Sequence, residues 1–200
     1  ARPFAVFLME LSTHPPPRLS TEAAASLVAA RRRVNTCDRA QWQRAISARD
    51  PVTHVRRSFA HVNRATFKFH EIVARLRLPA PSRIVLLAEA PGGFLHAART
   101  RWPDAECFAT SLATADAIAF SDPDDPAVLR GLPGAGDLRV DGVEEAIVSS
   151  CGAAAANLVT ADGGMSVDDL DFEEQHCALL LLCQVATALR LQAREGTLVV

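Results

Sequence analysis

The chain has 200 residues, enough for one domain with a sizeable core, and its 49% hydrophobic and 22% charged composition is that of an ordinary globular protein. A formal net charge of −2 excludes a globally basic nucleic-acid binder, so any RNA-contacting surface must come from local clusters of cations. The longest apolar run, at 178–182, is far short of a membrane span, and the five cysteines (Cys37, Cys107, Cys151, Cys177, Cys183) form no C-x-x-C pair, which argues against a zinc site or disulfide framework and for a reducing, intracellular compartment.

Residues 1–19 read as an irregular lead-in closed by THPPPRLS. The apolar stretch behind Arg2 lacks a small-residue cleavage site and does not read as a signal peptide. Ser20 and Thr21 are placed to cap a helix through EAAASLVAARRRV, whose end carries Arg31, Arg32 and Arg33. A polar helical segment follows over 37–50, and Pro51 interrupts it. Residues 1–50 are therefore expected to form a lead-in and helical segment, and residues 51–200 a separate domain.

A helix is predicted over 64–77, with Phe67, His70, Ile72, Val73 and Leu76 loosely on helical spacing. RIVLLAEA (83–90) fits a buried parallel strand. Pro91, Gly92 and Gly93 turn the chain into a helix beginning FLHAARTRW. ECFATSL (106–112) predicts a second strand, and the Pro- and Gly-rich stretch 121–136 a loop. VEEAIVSSC predicts a helix, and NLVTAD (157–162) another buried strand. The last helix is expected near 172–194, with Asp171 and Glu174 as its cap, Arg190 and Arg194 in its last turn, and a largely buried middle, CALLLLCQVATAL. Gly196 is expected to end it, and TLVV to begin a strand. This alternation predicts an α/β fold: a mostly parallel sheet with helices on both faces and ligand-binding loops after each strand on one edge.

Three segments carry chemistry. EAPGGF, Glu89 to Phe94, joins a strand to a helix through two glycines, so a ligand can approach the backbone, and free N–H groups at the helix start suit an anion such as an amino-acid carboxylate. It matches neither the dinucleotide glycine pattern nor a phosphate loop, and a plain turn would also explain it. TADGG sets Asp162 at the carboxyl edge of another strand, where a turn aspartate is the bland alternative. GDL sets Asp137 after a glycine-rich turn, able to accept from an adenine amino group or to be an ordinary loop residue. Cation usage adds a fourth signal: 20 arginines and one lysine, Lys68. Arginine stays protonated whereas lysine can give up its proton, so a lone lysine marks a position where a tunable amine would be wanted.

Five segments in this order, NRATFKFHEI (63–72), LAEAPGGF (87–94), GAGDL (134–138), NLVTADGG (157–164) and EEQHCALLLLCQVATAL (173–189), resemble the FtsJ-like ribose 2′-O-methyltransferases over roughly residues 37–200. ADGG followed by the LLLCQ helix, in place of a proline-containing segment of the bacterial ribosomal-RNA branch, makes the chain similar to the cap-specific branch of eukaryotes and large DNA viruses. The resemblance implies a Rossmann-like S-adenosylmethionine-dependent fold, with 51–200 a partial methyltransferase domain, incomplete at its C-terminus. It implies transfer of a methyl group from S-adenosylmethionine to an RNA ribose 2′-hydroxyl near the 5′ cap of messenger RNA, with no metal.

Of the family's Lys-Asp-Lys-Glu tetrad, Lys68 and Asp162 match the first two members. The other two would follow Val200, so the isolated 200 residues are expected to be inactive. Asn63, Glu89, Ala90, Pro91, Gly92, Gly93, Phe94, Asp137 and Asp162 are the implied cofactor contacts, and Arg56, Arg57 and Arg64 the implied RNA contacts. The family often has Asp where this chain has Leu86, and Glu89 is the candidate to take over that polar role. Implied partners are capped RNA and other capping enzymes or the remainder of a larger polypeptide, with no membrane. The implied setting is the nucleus or cytoplasm, or a viral replication site or virion. The rivals are a ribosomal or transfer RNA 2′-O-methyltransferase and a noncatalytic RNA- or partner-binding domain of a larger capping protein.

Overall fold

The computed structural model describes residues 20–35, 38, 40–41, 44, 63–164 and 173–200, the last stretch with side chains from Cys177 onward. The chain divides into two units, Ala1–Asp50 and Pro51–Val200. In the first, α1 covers Thr21–Asn35, directly after Ser20, and positions 40, 41 and 44 are also helical. The expected lead-in over 1–19, most of the polar segment over 37–50, and the cap at Asp171 lie outside the described residues.

The second unit is built on four short strands. β1 (Arg83–Leu87), β2 (Glu106–Ala109), β3 (Ala156–Ala161) and β4 (Gln192–Val199) form one parallel sheet in the order β2-β1-β3-β4. Side chains alternate across β1. Ile84 and Leu86 enter one core with Phe69, Val73, Phe94, Leu95 and Trp102, while Val85 and Leu87 enter the other with Val143, Ile147, Val159 and Leu191. The first core lies under α2 (Arg64–Leu76) and α3 (Gly93–Arg101), the second under α4 (Val143–Cys151) and α5 (Glu173–Leu191). The fold is thus α/β and Rossmann-like, with helices on both faces of a parallel sheet. Asn157 ties the amino ends of β1 and β3 together: its Oδ1 accepts from the Ser82 N–H and hydroxyl and from the Arg83 N–H.

Three expectations are corrected. In α2 the buried residues are Thr66, Phe69 and Val73, at i, i+3 and i+7, whereas Phe67 and Leu76 are exposed. Phe69 wins the core position because it meets Phe94 and Trp102 edge-on, with ring centroids 5.2 and 5.8 Å away. The middle of α5 is not covered all round. Gln184, Thr187, Ala188 and Leu191 face inward, but Leu179, Leu181, Leu182 and Leu189 are exposed, since the sheet covers one side of the helix only. Helix α5 also ends at Leu191, so Arg194 and Gly196 belong to β4. The register slips between Ala156 and Leu158, which pair with Gln192 and Thr197, and Gly196 sits in this bulge beside the Ala156 carbonyl, where a Cβ would lie only 2.7 Å from the oxygen.

Cys107, Cys151, Cys177 and Cys183 are free thiols. Burial pushes Cys107 up and Cys151 up to about 12, as suits small buried hydrophobes. No described helix is long and apolar enough to cross a membrane.

Phe69 joins α2 to Phe94 of α3 and to Trp102 through its ring contacts. Phe69→Ala is expected to lower the unfolding free energy by about 3–5 kcal/mol, read from urea denaturation; a loss within about 1 kcal/mol would mean that α2 is held by other contacts.

Candidate active site

Strand order reverses at β1: its successor β2 lies on one side and β3 on the other. Loops leaving the carboxyl ends of β1 and β3 therefore diverge and leave a crevice, the usual ligand position in open parallel sheets. Glu89 to Phe94 leave β1 and Asp162 to Gly164 leave β3, so both chemistry-bearing segments meet at this edge.

Helix α2 arrives at the same edge. Asn63 caps it through a reciprocal pair: Asn63 Oδ1 accepts from the Thr66 N–H at 3.1 Å, and Thr66 Oγ1 accepts from the Asn63 N–H at 3.2 Å. With Phe69 anchored below, Lys68 points to the β3 loop, and its Nζ donates to Asp162 Oδ1 at 2.5 Å. The two side chains are 51% and 46% exposed. An exposed ion pair contributes about 0–1 kcal/mol, so stability does not explain its place. Arg64 is exposed one helical turn before Lys68, on the same face. Arg56 and Arg57 lie outside the described residues.

Glu89 behaves differently from the expectation for this loop. Its carboxylate turns back and accepts from the N–H groups of Phe94 at 2.7 Å and Leu95 at 3.0 Å, so the helix-start donors expected to receive a ligand anion are taken by the protein's own acid. The Glu89 N–H is held by the Thr110 carbonyl. Burial pushes the carboxyl up to about 7 against the two backbone hydrogen bonds, and the negative charge of Asp162 adds to the rise. Leu86 lies wholly inside the first core, so the acid sits three residues on, at the strand exit.

The two glycines have separate uses. Gly92 has a left-handed φ of +107°, and Gly93 gives its missing side chain to Asn63, whose Oδ1 lies 2.1 Å from where a Cβ would be. The close approach at Gly93 is thus to a protein side chain. Pro91 follows a cis bond from Ala90, and its carbonyl accepts from the Ser121 N–H. Behind Asp162, the backbone N–H of Gly163 donates to Gln184 Oε1 at 2.9 Å.

Asp137 follows the 3-10 turn Pro133–Gly136, which packs on the segment leaving β2: the Ala113 N–H donates to the Ala135 carbonyl at 2.8 Å. Both Asp137 oxygens are gripped by Arg139, at 2.9 Å from Nε and 2.7 Å from Nη2. This side-chain fork holds the Asp137 carboxyl below the usual carboxylate range, and the Arg139 N–H assists at 3.0 Å. Sequence reasoning missed Arg139, Gln184 and Thr110, whose hydroxyl is buried without a partner. Of these, Gln184 left a signal: it is the lone amide in an apolar run. A cavity of about 500 Å³ lies elsewhere, at β2 against Arg99 and Pro103.

The family model for FtsJ-like methyltransferase matches residues 61–200. Among curated proteins, none matches the chain.

Glu89 makes stability depend on pH. Its folded value of about 7 exceeds the ordinary 4.5, so between those values the folded state holds more protons than the unfolded chain, and stability falls as pH rises. The penalty is absent below the lower value and complete above the upper one, and is of order 3 kcal/mol. Glu89→Gln keeps an acceptor for Phe94 and Leu95 but cannot ionise. In urea titrations from about pH 4.5 to about pH 8, the variant is expected to gain on the wild type by roughly that amount. Parallel pH profiles would show that Glu89 titrates in the folded protein as it does in the unfolded chain.

Proposed function

Because the chain belongs to the FtsJ-like methyltransferase family, we propose that it transfers a methyl group from S-adenosylmethionine to a ribose 2′-hydroxyl of RNA, near the 5′ cap of messenger RNA. The observation that carries this reading is the 2.5 Å contact between Lys68, the only lysine of the chain, and Asp162 at the crevice edge. These are the residues that match the first two members of the family's tetrad.

The crevice residues suit such a cofactor. Asp162, half-exposed at the crevice, suits a cationic cofactor, and the buried Thr110 hydroxyl has an unused hydrogen-bonding capacity, whereas Glu89 is folded onto Phe94 and Leu95 and Asp137 onto Arg139. Asn63, Glu89, Ala90, Pro91, Gly92, Gly93, Phe94, Asp137 and Asp162 would hold it. When bound, S-adenosylmethionine supplies a methyl carbon on a good leaving group, open to attack by the ribose oxygen.

A ribose hydroxyl is a poor nucleophile at neutral pH. Asp162 orients Lys68 through a charge-assisted hydrogen bond. As a cation, Lys68 stabilises negative charge growing on the 2′-oxygen; as a free amine, it takes the proton. Arg64, exposed on the same face of α2, is suited to an RNA phosphate, and Arg56 and Arg57 are assigned the same role. The cap-specific reading draws its support from ADGG followed by the LLLCQ helix. Other capping enzymes or further parts of a larger polypeptide are the proposed partners, within a reducing compartment.

Lys68→Ala and Lys68→Arg, made in the natural polypeptide, are each expected to cut methyl transfer at least about 100-fold while S-adenosylmethionine still binds. Transfer of labelled methyl to capped and uncapped RNA of one sequence, with ribosomal and transfer RNA alongside, is the assay. Near-normal turnover by Lys68→Arg would show that only positive charge matters. Equal methylation of uncapped RNA would remove the cap assignment, and RNA binding without any transfer would leave a noncatalytic domain.

A further inference from the structure

The LLLCQ segment of α5 ends on a polar residue that the reading above leaves without a task. Gln184 is 1% exposed, on the side of α5 that faces the sheet. Burying a side-chain amide costs about 1–3 kcal/mol unless its groups are hydrogen-bonded. Here they are bonded to one neighbouring residue from both sides. Gln184 Oε1 accepts from the Gly163 N–H at 2.9 Å, while Nε2 donates to the Gly163 carbonyl at 3.3 Å and to the Leu180 carbonyl at 3.4 Å.

Gly163 is the residue directly after Asp162, and it lies beyond the end of β3 at Ala161. No strand ladder holds it, so the Gln184 amide supplies the paired N–H and C=O contacts that a neighbouring strand would give. The approach is close: a Cβ on Gly163 would lie 2.5 Å from the Ala88 Cβ and 2.8 Å from Gln184 Oε1. The loop is therefore held between α5 on one side and the exit of β1 on the other. Asp162 stands between two fixed points, the ladder at Ala161 and the clamp at Gly163, and its side chain reaches Lys68 from there.

We propose that Gln184 is a positioning residue: by clamping the Gly163 backbone it sets the Asp162 carboxylate against Lys68. The catalytic consequence rests on the methyl-transfer reading above; the structural consequence does not. A residue that merely fills space on α5 would alter stability and leave the Lys68–Asp162 contact as it is.

Lysine labelling makes the contact directly observable. In a sample of the natural polypeptide labelled with side-chain ¹⁵N-lysine, the Lys68 signal is the one that Lys68→Arg removes. Asp162→Asn gives the position of that signal without the carboxylate. Two variants then loosen the clamp from opposite sides: Gln184→Met keeps the side-chain length and removes the amide, and Gly163→Ala forces the loop off an unchanged α5. Both are expected to move the Lys68 signal most of the way to its Asp162→Asn position. Both should also lower the kcat of methyl transfer by about 10–100-fold with the KM for RNA nearly unchanged, as misplacement of a reacting group by an ångström does.

A folded Gln184→Met or Gly163→Ala protein whose Lys68 signal stays at the wild-type position overturns the proposal. If Gln184→Met does not fold, Gly163→Ala decides by the same signal. A wild-type protein that methylates no RNA would overturn the proposed reaction, and the Lys68 signal would still decide whether Gln184 positions Asp162.

Discussion

The second unit depends on a constraint at β1. This five-residue strand has a hydrogen-bonded neighbour on each edge and a hydrophobic core on each face. Ile84, Val85, Leu86 and Leu87 are each no more than 1% exposed, so no polar group fits within the strand without a partner. Polar chemistry is displaced to the first positions beyond it. That is why the acid of this segment is Glu89, at the exit. The reversal of strand order at β1 then parts its exit loop from that of β3, and the crevice follows from the topology.

Charge is divided between two kinds of cation. Several described arginines hold acidic partners in place: Arg83 to Glu106, Arg99 to Asp125, Arg139 to Asp137, and Arg190 to Glu144 and Glu145. A guanidinium suits that use because it stays charged and presents several donors in one plane. Lys68 is set apart by position as well as by type, half-exposed at the crevice with Asp162 as its partner. Glu89, deeper in the same edge, is raised mainly by burial, with the charge of Asp162 adding to the rise.

Much of the architecture is legible in local pattern. The apolar run at 83–87, the helix at 143–151 and the strand before ADGG all fall where periodicity and turn residues put them, because an apolar pattern bounded by turn residues marks their limits within the local sequence. What escapes local reading depends on distant partners. The end of α5 cannot be read from Gly196, because the bulge that holds it is made against Ala156. The exposed leucines of α5 look like core in sequence, since a run of leucines does not say how many sides the sheet will cover. The helix-start donors at Phe94 and Leu95 look free until Glu89 is seen to fold back on them, and Asp137 looks available until Arg139 closes on it. Lys68 and Asp162 are separated by 94 residues, and only the family pattern, not spacing, names them together.

The strand order also sets a timetable. The β1–β2 pairing joins residues such as Arg83 and Glu106, 23 apart, whereas the β1–β3 junction joins Arg83 and Asn157, 74 apart. Closing the longer loop costs about 1 kcal/mol more in chain entropy than closing the shorter one. During synthesis from the N-terminus, β1, α3 and β2 are complete well before β3 exists. Until the ribosome has released the chain through Asp162, Lys68 has no carboxylate to meet and β1 has one edge without a partner. The crevice is therefore made only after β1 and β2 are complete, and the nascent protein passes through a stage in which its half-built sheet must be kept from other chains.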